Sequence, residues 1–225
     1  NSLISIIIVN YNVRDYLDNC LNSIYKSKLI ENIEIIVVDN DSSDNSAQMV
    51  IEKYPNINLI QNKTNFGFSK AVNQGIKISR GEYLLLLNPD TVLEKNTLNI
   101  LINYMEKNTS VGMCGPKILN SDGTLQLSCK RSFPTPMVAF PKLIGLDKLF
   151  PKNKWVGRYN LTYLDENKCH SVDAISGSFM FIRKEILNEV GFLDEEFFMF
   201  GEDLDLCFRI KKCNYQIHYV PTTQI

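Results

Sequence analysis

The chain has 225 residues, 44 % of them hydrophobic and 22 % charged, and its 24 Lys and Arg against 25 Asp and Glu leave a formal charge of −1. That length and apolar content support a real core and exclude intrinsic disorder, and the absence of a basic bias argues against a protein that grips nucleic acid through its phosphates. Eleven Gly and eight Pro also exclude collagen-like and low-complexity classes.

Leu3-Ile4-Ser5-Ile6-Ile7-Ile8-Val9 is a β-branched run too short for a helix, and Ile33-Glu34-Ile35-Ile36-Val37-Val38 is another, so both predict buried strands with a helix over 14–27 between them. A second helix, N-capped by Ser43 or Asp44, leads to a strand over 57–60, and a helix over 69–79 leads to a strand over 83–87. This alternation with short connections predicts an α/β fold, a mainly parallel sheet covered by helices on both faces that binds its ligands beyond the carboxyl ends of the strands. Polar residues follow three of those ends, Asn10-Tyr11-Asn12, Asp39-Asn40-Asp41-Ser42-Ser43-Asp44 and Asn88-Pro89-Asp90, and should converge on one edge. Residues 121–167 become irregular and rich in Pro and aromatics, the pattern of a long functional loop where a second substrate docks. Regular structure resumes over 172–182, followed by a helix over 184–190, another from near Gly201 and a strand over 216–220.

The cysteines Cys20, Cys114, Cys129, Cys169, Cys207 and Cys213 form no Cys-x-x-Cys pair and have no His pair at zinc spacing, which suits free thiols in a reducing compartment. The first apolar run, 3–9, contains Ser5, lacks a basic flank and falls far short of the roughly 20 residues of a bilayer span, so neither a membrane span nor a signal peptide is expected.

Neither Gly-x-Gly-x-x-Gly nor a Walker loop occurs, which disfavours a dinucleotide dehydrogenase or a P-loop kinase. The other way to hold a pyrophosphate is a divalent metal on one or two carboxylates beside the phosphates, and Asp90 at a strand end suits that task. Asp39 can accept hydrogen bonds from a base or a ribose. Each of these acids alone also reads as an ordinary turn residue, and it is their repetition at successive strand ends that favours a site. Further on, Gly201 breaks an aromatic run, and Leu204 and Phe208 at i, i+4 place Glu202 and Asp203 in the first turn of a helix. Those acids either stabilise the helix N-terminus, by ~0.3–1 kcal/mol, or provide a general base whose pKa aromatic walls raise.

The ordered set Ser5 through Asn12, Val38 through Asp44, Asn65-Phe66-Gly67-Phe68-Ser69-Lys70-Ala71-Val72-Asn73-Gln74-Gly75, Leu87 through Asp90, Gly177-Ser178 and Gly201-Glu202-Asp203 resembles the family 2 glycosyltransferases of the GT-A fold. The resemblance spans nearly the whole chain. It implies a single domain over 1–225, a Rossmann-like, mixed but mainly parallel sheet flanked by helices, with a nucleotide-sugar half over 1–118 and an acceptor half over 119–225. It implies an inverting transfer of a sugar from a nucleoside diphosphate to a hydroxyl, with Mg²⁺ or Mn²⁺ on the diphosphate. Asn10, Tyr11, Asn12, Asp39, Asp41, Phe68, Ala71, Asn73 and Asn88 would line the nucleotide pocket, and Asp90 would ligate the metal as the last residue of the family's Asp-x-Asp motif. Asn88 stands where that motif has its first Asp. Asp203 matches the family's catalytic base with Glu202 beside it, and Gly177 and Ser178 would border the acceptor or donor sugar.

The blocks running into Gly123-Thr124-Leu125-Gln126 and Ser132-Phe133-Pro134 look most like the rhamnosyltransferase-like branch that builds bacterial surface polysaccharide, with dTDP-rhamnose or a UDP-sugar as donor and a glycan or lipid-linked acceptor. Related enzymes continue beyond the position of Ile225 with a His that helps to bind the diphosphate or metal, so a domain cut short at its C-terminus is expected; His170 and His218 do not match that position. By the same resemblance the protein works in the cytoplasm, with loose association to the inner face of the membrane. The alternative is a sugar-nucleotide-binding module that keeps the fold without turnover, against which intact Asp90 and Asp203 argue. A nucleotidyltransferase would need a Gly-rich phosphate loop where Asn10-Tyr11-Asn12 stands.

Overall fold

A computed structural model describes residues 3–225. In chain order the elements are β1 (Ile4–Asn10), α1 (Arg14–Tyr25), β2 (Ile33–Asp39), α2 (Ser46–Lys53), β3 (Asn58–Gln61), α3 (Phe68–Ile78), β4 (Tyr83–Leu87), α4 (Thr97–Lys107), β5 (Val111–Lys117), α5 (Pro136–Leu143), α6 (Leu146–Leu149), β6 (His170–Val172), β7 (Phe179–Arg183), α7 (Lys184–Val190), α8 (Glu202–Lys212) and β8 (Gln216–Gln224). The strands form one sheet in the order β3-β2-β1-β4-β7-β5-β8-β6. Its first four strands run parallel, β7 lies antiparallel between β4 and β5, β8 is parallel to β5, and β6 closes the far edge antiparallel to β8.

The β-branched residues of β1 are buried on both faces, as a central strand with helices above and below requires. Helix α3 lies so tightly on this strand that a Cβ at Gly75 would fall 2.6 Å from Ile7 Cγ2, so only glycine permits the approach. Helix α1 buries Leu17, Cys20, Leu21 and Ile24, the i, i+3, i+4, i+7 stripe of an amphipathic helix. β2 follows β1 to one side and β4 lies on the other, so the strand order reverses at β1 and a crevice opens beyond its carboxyl end.

Several boundaries differ from those expected. Helix α2 starts at Ser46 and not directly after Ser43 or Asp44, because Asn45 adopts a left-handed φ of 63°. Asp44 still does the capping: Oδ1 accepts from the Ser46 N–H at 3.1 Å and from its hydroxyl, while Oδ2 accepts from the Arg14 N–H at 2.8 Å at the start of α1. Burial raises the Asp44 pKa, but these donors outweigh it and hold the carboxyl below its ordinary value. Residues 121–167 are not one irregular loop but contain α5 and α6. Strand β8 extends beyond 220 to Gln224, absorbing Pro221 through a shift in register between the pairs Pro116–Val220 and Lys117–Gln224. The six cysteines are all free. Among the described residues, no helix is long and apolar enough to cross a membrane.

At the amino end of the sheet, buried Glu34 accepts from the Ser5 hydroxyl at 2.5 Å, the Arg80 N–H at 2.8 Å and Arg80 Nε at 2.9 Å. Burial raises its pKa, and the Ser5 and Arg80 donors more than reverse this, leaving it lowered from 4.5. The stabilisation is therefore complete above pH 4.5 and is lost as the pH falls through the lower native value. Glu34→Gln should cost roughly 1–3 kcal/mol in urea unfolding at neutral pH, and the gap to the wild type should narrow on acidification below the native pKa.

Candidate active site

The polar residues that follow β1 and β2 are stitched together. Asn10 Nδ2 donates to Asp39 Oδ1 at 2.8 Å and to Ser42 Oγ at 3.0 Å, Ser42 N–H returns to Asp39 Oδ2 at 3.0 Å, and Asn12 Oδ1 accepts from Ser43 N–H at 2.8 Å. Asn12 and Asp41 hold left-handed φ values of 54° and 68°, which short polar side chains tolerate better than most. Asn40 extends the network: it receives a bond from Asn62 at 2.8 Å and donates to the Gly67 carbonyl at 3.0 Å. Gly67 has φ +83°, and a Cβ there would meet the Phe198 carbonyl oxygen at 2.6 Å, while the next residue, Phe68, donates its N–H to that oxygen at 2.7 Å.

These loops border a cleft of about 950 Å³ at the carboxyl ends of the strands. Tyr11, Phe68, Asn88, Asp90 and Ser178 line it, together with Phe198, Met199, Gln224 and Ile225. After β4 a tight turn is closed by Thr91, whose hydroxyl donates to the Asn88 carbonyl at 2.7 Å, and the turn presents Asp90 exposed to the cleft. Among the described residues the Asp90 carboxylate has no ion-pair partner, and no cluster of three or more His, Cys, Asp or Glu is gathered to hold a metal. A single free carboxylate fits a divalent cation that takes its remaining ligands from a bound diphosphate and water, as Mg²⁺ does at phosphate sites, and does not fit an all-protein cage.

Behind Ser178 stand the two acids that open α8. Asp203 Oδ2 accepts from Arg131 Nη2 in an ion pair and from the Gly177 N–H at 3.1 Å, and Oδ1 accepts from the Leu204 N–H at 2.8 Å. Gly177 allows this approach, since a Cβ would lie 3.3 Å from that of Asp203. Arg131 is anchored in turn by the Ile175 carbonyl at 2.8 Å. Burial lowers the Arg131 pKa, but the attraction of Asp203 outweighs it and raises the net value. Glu202 is buried with Oε2 unpartnered, and burial, reinforced by the adjacent Asp203 charge, pushes its pKa up. Segment 176–178 couples these acids to the Asp90 turn, because the Ser178 carbonyl accepts from the Asn88 N–H at 3.0 Å.

The model of the family described as Glycosyl transferase family 2 matches residues 5–191. The chain belongs to that family. The N-acetylglucosaminyl-diphospho-decaprenol L-rhamnosyltransferase of Mycobacterium tuberculosis is 27 % identical over 241 residues, covering 99 % of this chain and 75 % of the relative. The low-salt glycan biosynthesis hexosyltransferase Agl10 of Haloferax volcanii is 31 % identical over 218 residues, covering 95 % and 63 %. The mannosyltransferase PcManGT from Pyrobaculum calidifontis, solved with GDP-Man and Mn²⁺, superposes with a TM-score of 0.71 at 17 % identity over all of this chain and 57 % of that one. S. aureus TarS 1-349 in complex with UDP gives 0.65 at 21 % identity, over 99 % and 60 %. The fold is thus the GT-A fold, and the chain spans less than two thirds of Agl10 and of both solved structures.

Within this family 2 domain the residues singled out from sequence fall into distinct places. Tyr11, Phe68, Asn88, Asp90 and Ser178 meet in the cleft, whereas Gly177, Glu202 and Asp203 stand outside its lining, Asp203 joined to it through Gly177 and Ser178. Asn10 and Asp39 are buried just beneath, and Asn12 and Asp41 stay on the exposed loops above them. Ala71 and Asn73, expected to close around the nucleotide, do not line the cleft. Ala71 is wholly buried in the core, and Asn73 is spent on the backbone of Leu193, donating to its carbonyl at 2.8 Å and accepting its N–H at 3.1 Å. Arg131 was not foreseen, since a lone Arg at the head of an irregular stretch carries no local signal for its partner 72 residues away. Gly67→Ala should lower stability by roughly 1–3 kcal/mol in thermal unfolding, the cost of strained left-handed backbone, and should weaken nucleotide binding by displacing Phe198.

Proposed function

We propose that this domain is an inverting glycosyltransferase that moves a sugar from a nucleoside-diphosphate donor, dTDP-rhamnose or a UDP-sugar, to a hydroxyl of a glycan or lipid-linked acceptor in surface polysaccharide synthesis. The observation that carries this reading is the 176–178 segment, which is bonded to the Asn88 N–H of the turn bearing Asp90 on one side and to the Asp203 carboxylate on the other. Such a segment suits a reaction in which a leaving diphosphate and an attacking hydroxyl flank one sugar. The nucleotide lies against Tyr11 and Phe68, over the Asn10–Asp39 pair, in the 1–118 half; the acceptor enters from the 119–225 half, at the cytoplasmic side of a membrane.

Asp90 would hold a Mg²⁺ or Mn²⁺, which when bound neutralises charge developing on the diphosphate. With Asn88 in place of a second acid, the site carries one negative charge fewer. Asp203 takes the proton of the acceptor hydroxyl as its oxygen attacks the anomeric carbon from the face opposite the diphosphate, and inversion follows. Asp203 and not Glu202 is the base, because Arg131 and the Gly177 N–H orient its carboxylate, whereas Glu202 is buried with Oε2 unpartnered. Arg131 is a positioning residue: its ion pair fixes the Asp203 carboxylate by Oδ2, and Oδ1 keeps a lone pair beyond its bond to Leu204 N–H.

Calorimetric titration with dTDP and with UDP, each with and without Mn²⁺, should give metal-dependent binding of one of them; no binding of either would sink the reading. Asp203→Asn should reduce turnover by ~10²–10⁴-fold, the usual contribution of a general base, with nucleotide affinity retained. Intact binding with no turnover by the wild type would point to the degenerate module instead. Arg131→Ala, which releases the Asp203 carboxylate from its ion pair, should lower kcat by about 10²-fold, the cost of a misplaced reacting group, with KM for the donor little changed. Arg131→Lys should restore much of that kcat, and thermal unfolding of both variants separates this positioning role from a merely structural one.

A further inference from the structure

Helix α5 is built with its apolar side outward. Met137, Phe140, Leu143 and Ile144 on α5 and just after it, Leu149 and Phe150 at the end of α6, and Trp155 are between 52 and 84 % exposed. At 3.6 residues per turn the first four occupy one arc of roughly 120°, opposite Val138, the buried residue of α5. A helix of a soluble domain normally turns such a stripe to the core. Trp155 is presented by a small turn in which its N–H donates to Asn153 Oδ1 at 2.8 Å.

The same stretch concentrates positive charge. Residues 136–158 hold Lys142, Lys148, Lys152, Lys154 and Arg158, all exposed, against Asp147 alone. That is +4 within a chain of −1, which leaves the remainder of the protein at −5. A second copy of the domain would set this cationic face against itself. A leaflet with anionic headgroups satisfies both halves of the pattern: Trp, Phe, Leu and Met enter the boundary between headgroup and acyl chain, and Lys and Arg meet the phosphates.

We propose that the face formed by α5, α6 and Trp155 docks this protein onto a bilayer bearing anionic phospholipid. The proposal deepens the lipid-linked acceptor reading and rests on it for its purpose. Residues 132–135 alone separate Arg131, the partner of Asp203, from the start of α5. A hydroxyl carried by a lipid would thus be delivered beside the base.

The test is sedimentation with pure phosphatidylcholine vesicles and with mixed phosphatidylcholine–phosphatidylglycerol vesicles, alongside the fluorescence of Trp155, the one tryptophan of the chain. The wild type should bind the mixed vesicles at least about tenfold more tightly, given about 1 kcal/mol per surface Lys or Arg, with a blue shift of the Trp155 emission. Leu143→Asp with Phe150→Asp should abolish binding to both kinds of vesicle, and Lys148→Glu with Lys152→Glu should remove the preference for phosphatidylglycerol. Each variant should keep the nucleotide affinity of the wild type. No sedimentation of the wild type with mixed vesicles would overturn the proposal, as would a stable dimer in solution that Leu143→Asp dissociates. Vesicle binding by a protein that binds neither dTDP nor UDP would leave the docking face standing and reject the transferase reading.

Discussion

Strand β1 has a parallel neighbour on each side and helices over both faces, and this confinement governs what lies around it. A strand so enclosed must be apolar along its length, and it is, apart from Ser5, whose hydroxyl is taken up by Glu34. Its first polar carboxyl-end residue, Asn10, places its buried Nδ2 on Asp39 and Ser42, while its Oδ1 stays buried without a partner. Because β2 and β4 leave β1 in opposite directions, the loops after them part. The crevice between them is a by-product of topology, onto which Tyr11 and Asp90 are placed.

The residues before and after position 118 are tied together at several points. Asn73 on α3 is bonded to Leu193, Phe68 to Phe198 and Asn88 to Ser178. Each of these contacts joins residues far apart in sequence, and those of Phe68 and Asn88 lie in the cleft wall. Phe198 and Met199 therefore form part of the cleft wall, and their segment leads directly into the helix that carries Asp203. Changes in how one half is occupied have a short physical route to the other.

Much of this was legible in the sequence, for reasons that differ by element. The runs at β1, β2 and β4 and the helix α7 announce themselves through β-branched or periodic apolar residues, and the three polar strand ends follow from the topology those elements imply. No element was expected where α4 and β5 stand. In α4 the signal exists, in the spacing of Leu98, Leu101, Ile102 and Met105. In β5 it does not: Val111–Lys117 contains two glycines and a proline, poor strand formers, and its extended state is imposed by pairing with β7 and β8. Asn73 and Ala71 sit in a block that reads as one nucleotide-binding unit, yet the helical period turns them into the core and toward Leu193. Pairings such as Arg131 with Asp203 are products of tertiary folding and leave no trace in local pattern.

Asp44 anchors the first turns of both α1 and α2 with one carboxylate, an arrangement in which neither helix start has a cap of its own. The opening fluctuations of the two helices are thereby joined. Whichever frays first withdraws part of the geometry that holds the other, so the amides of the two N-terminal turns should exchange with deuterium as one cooperative unit although they are separated by the whole of β2.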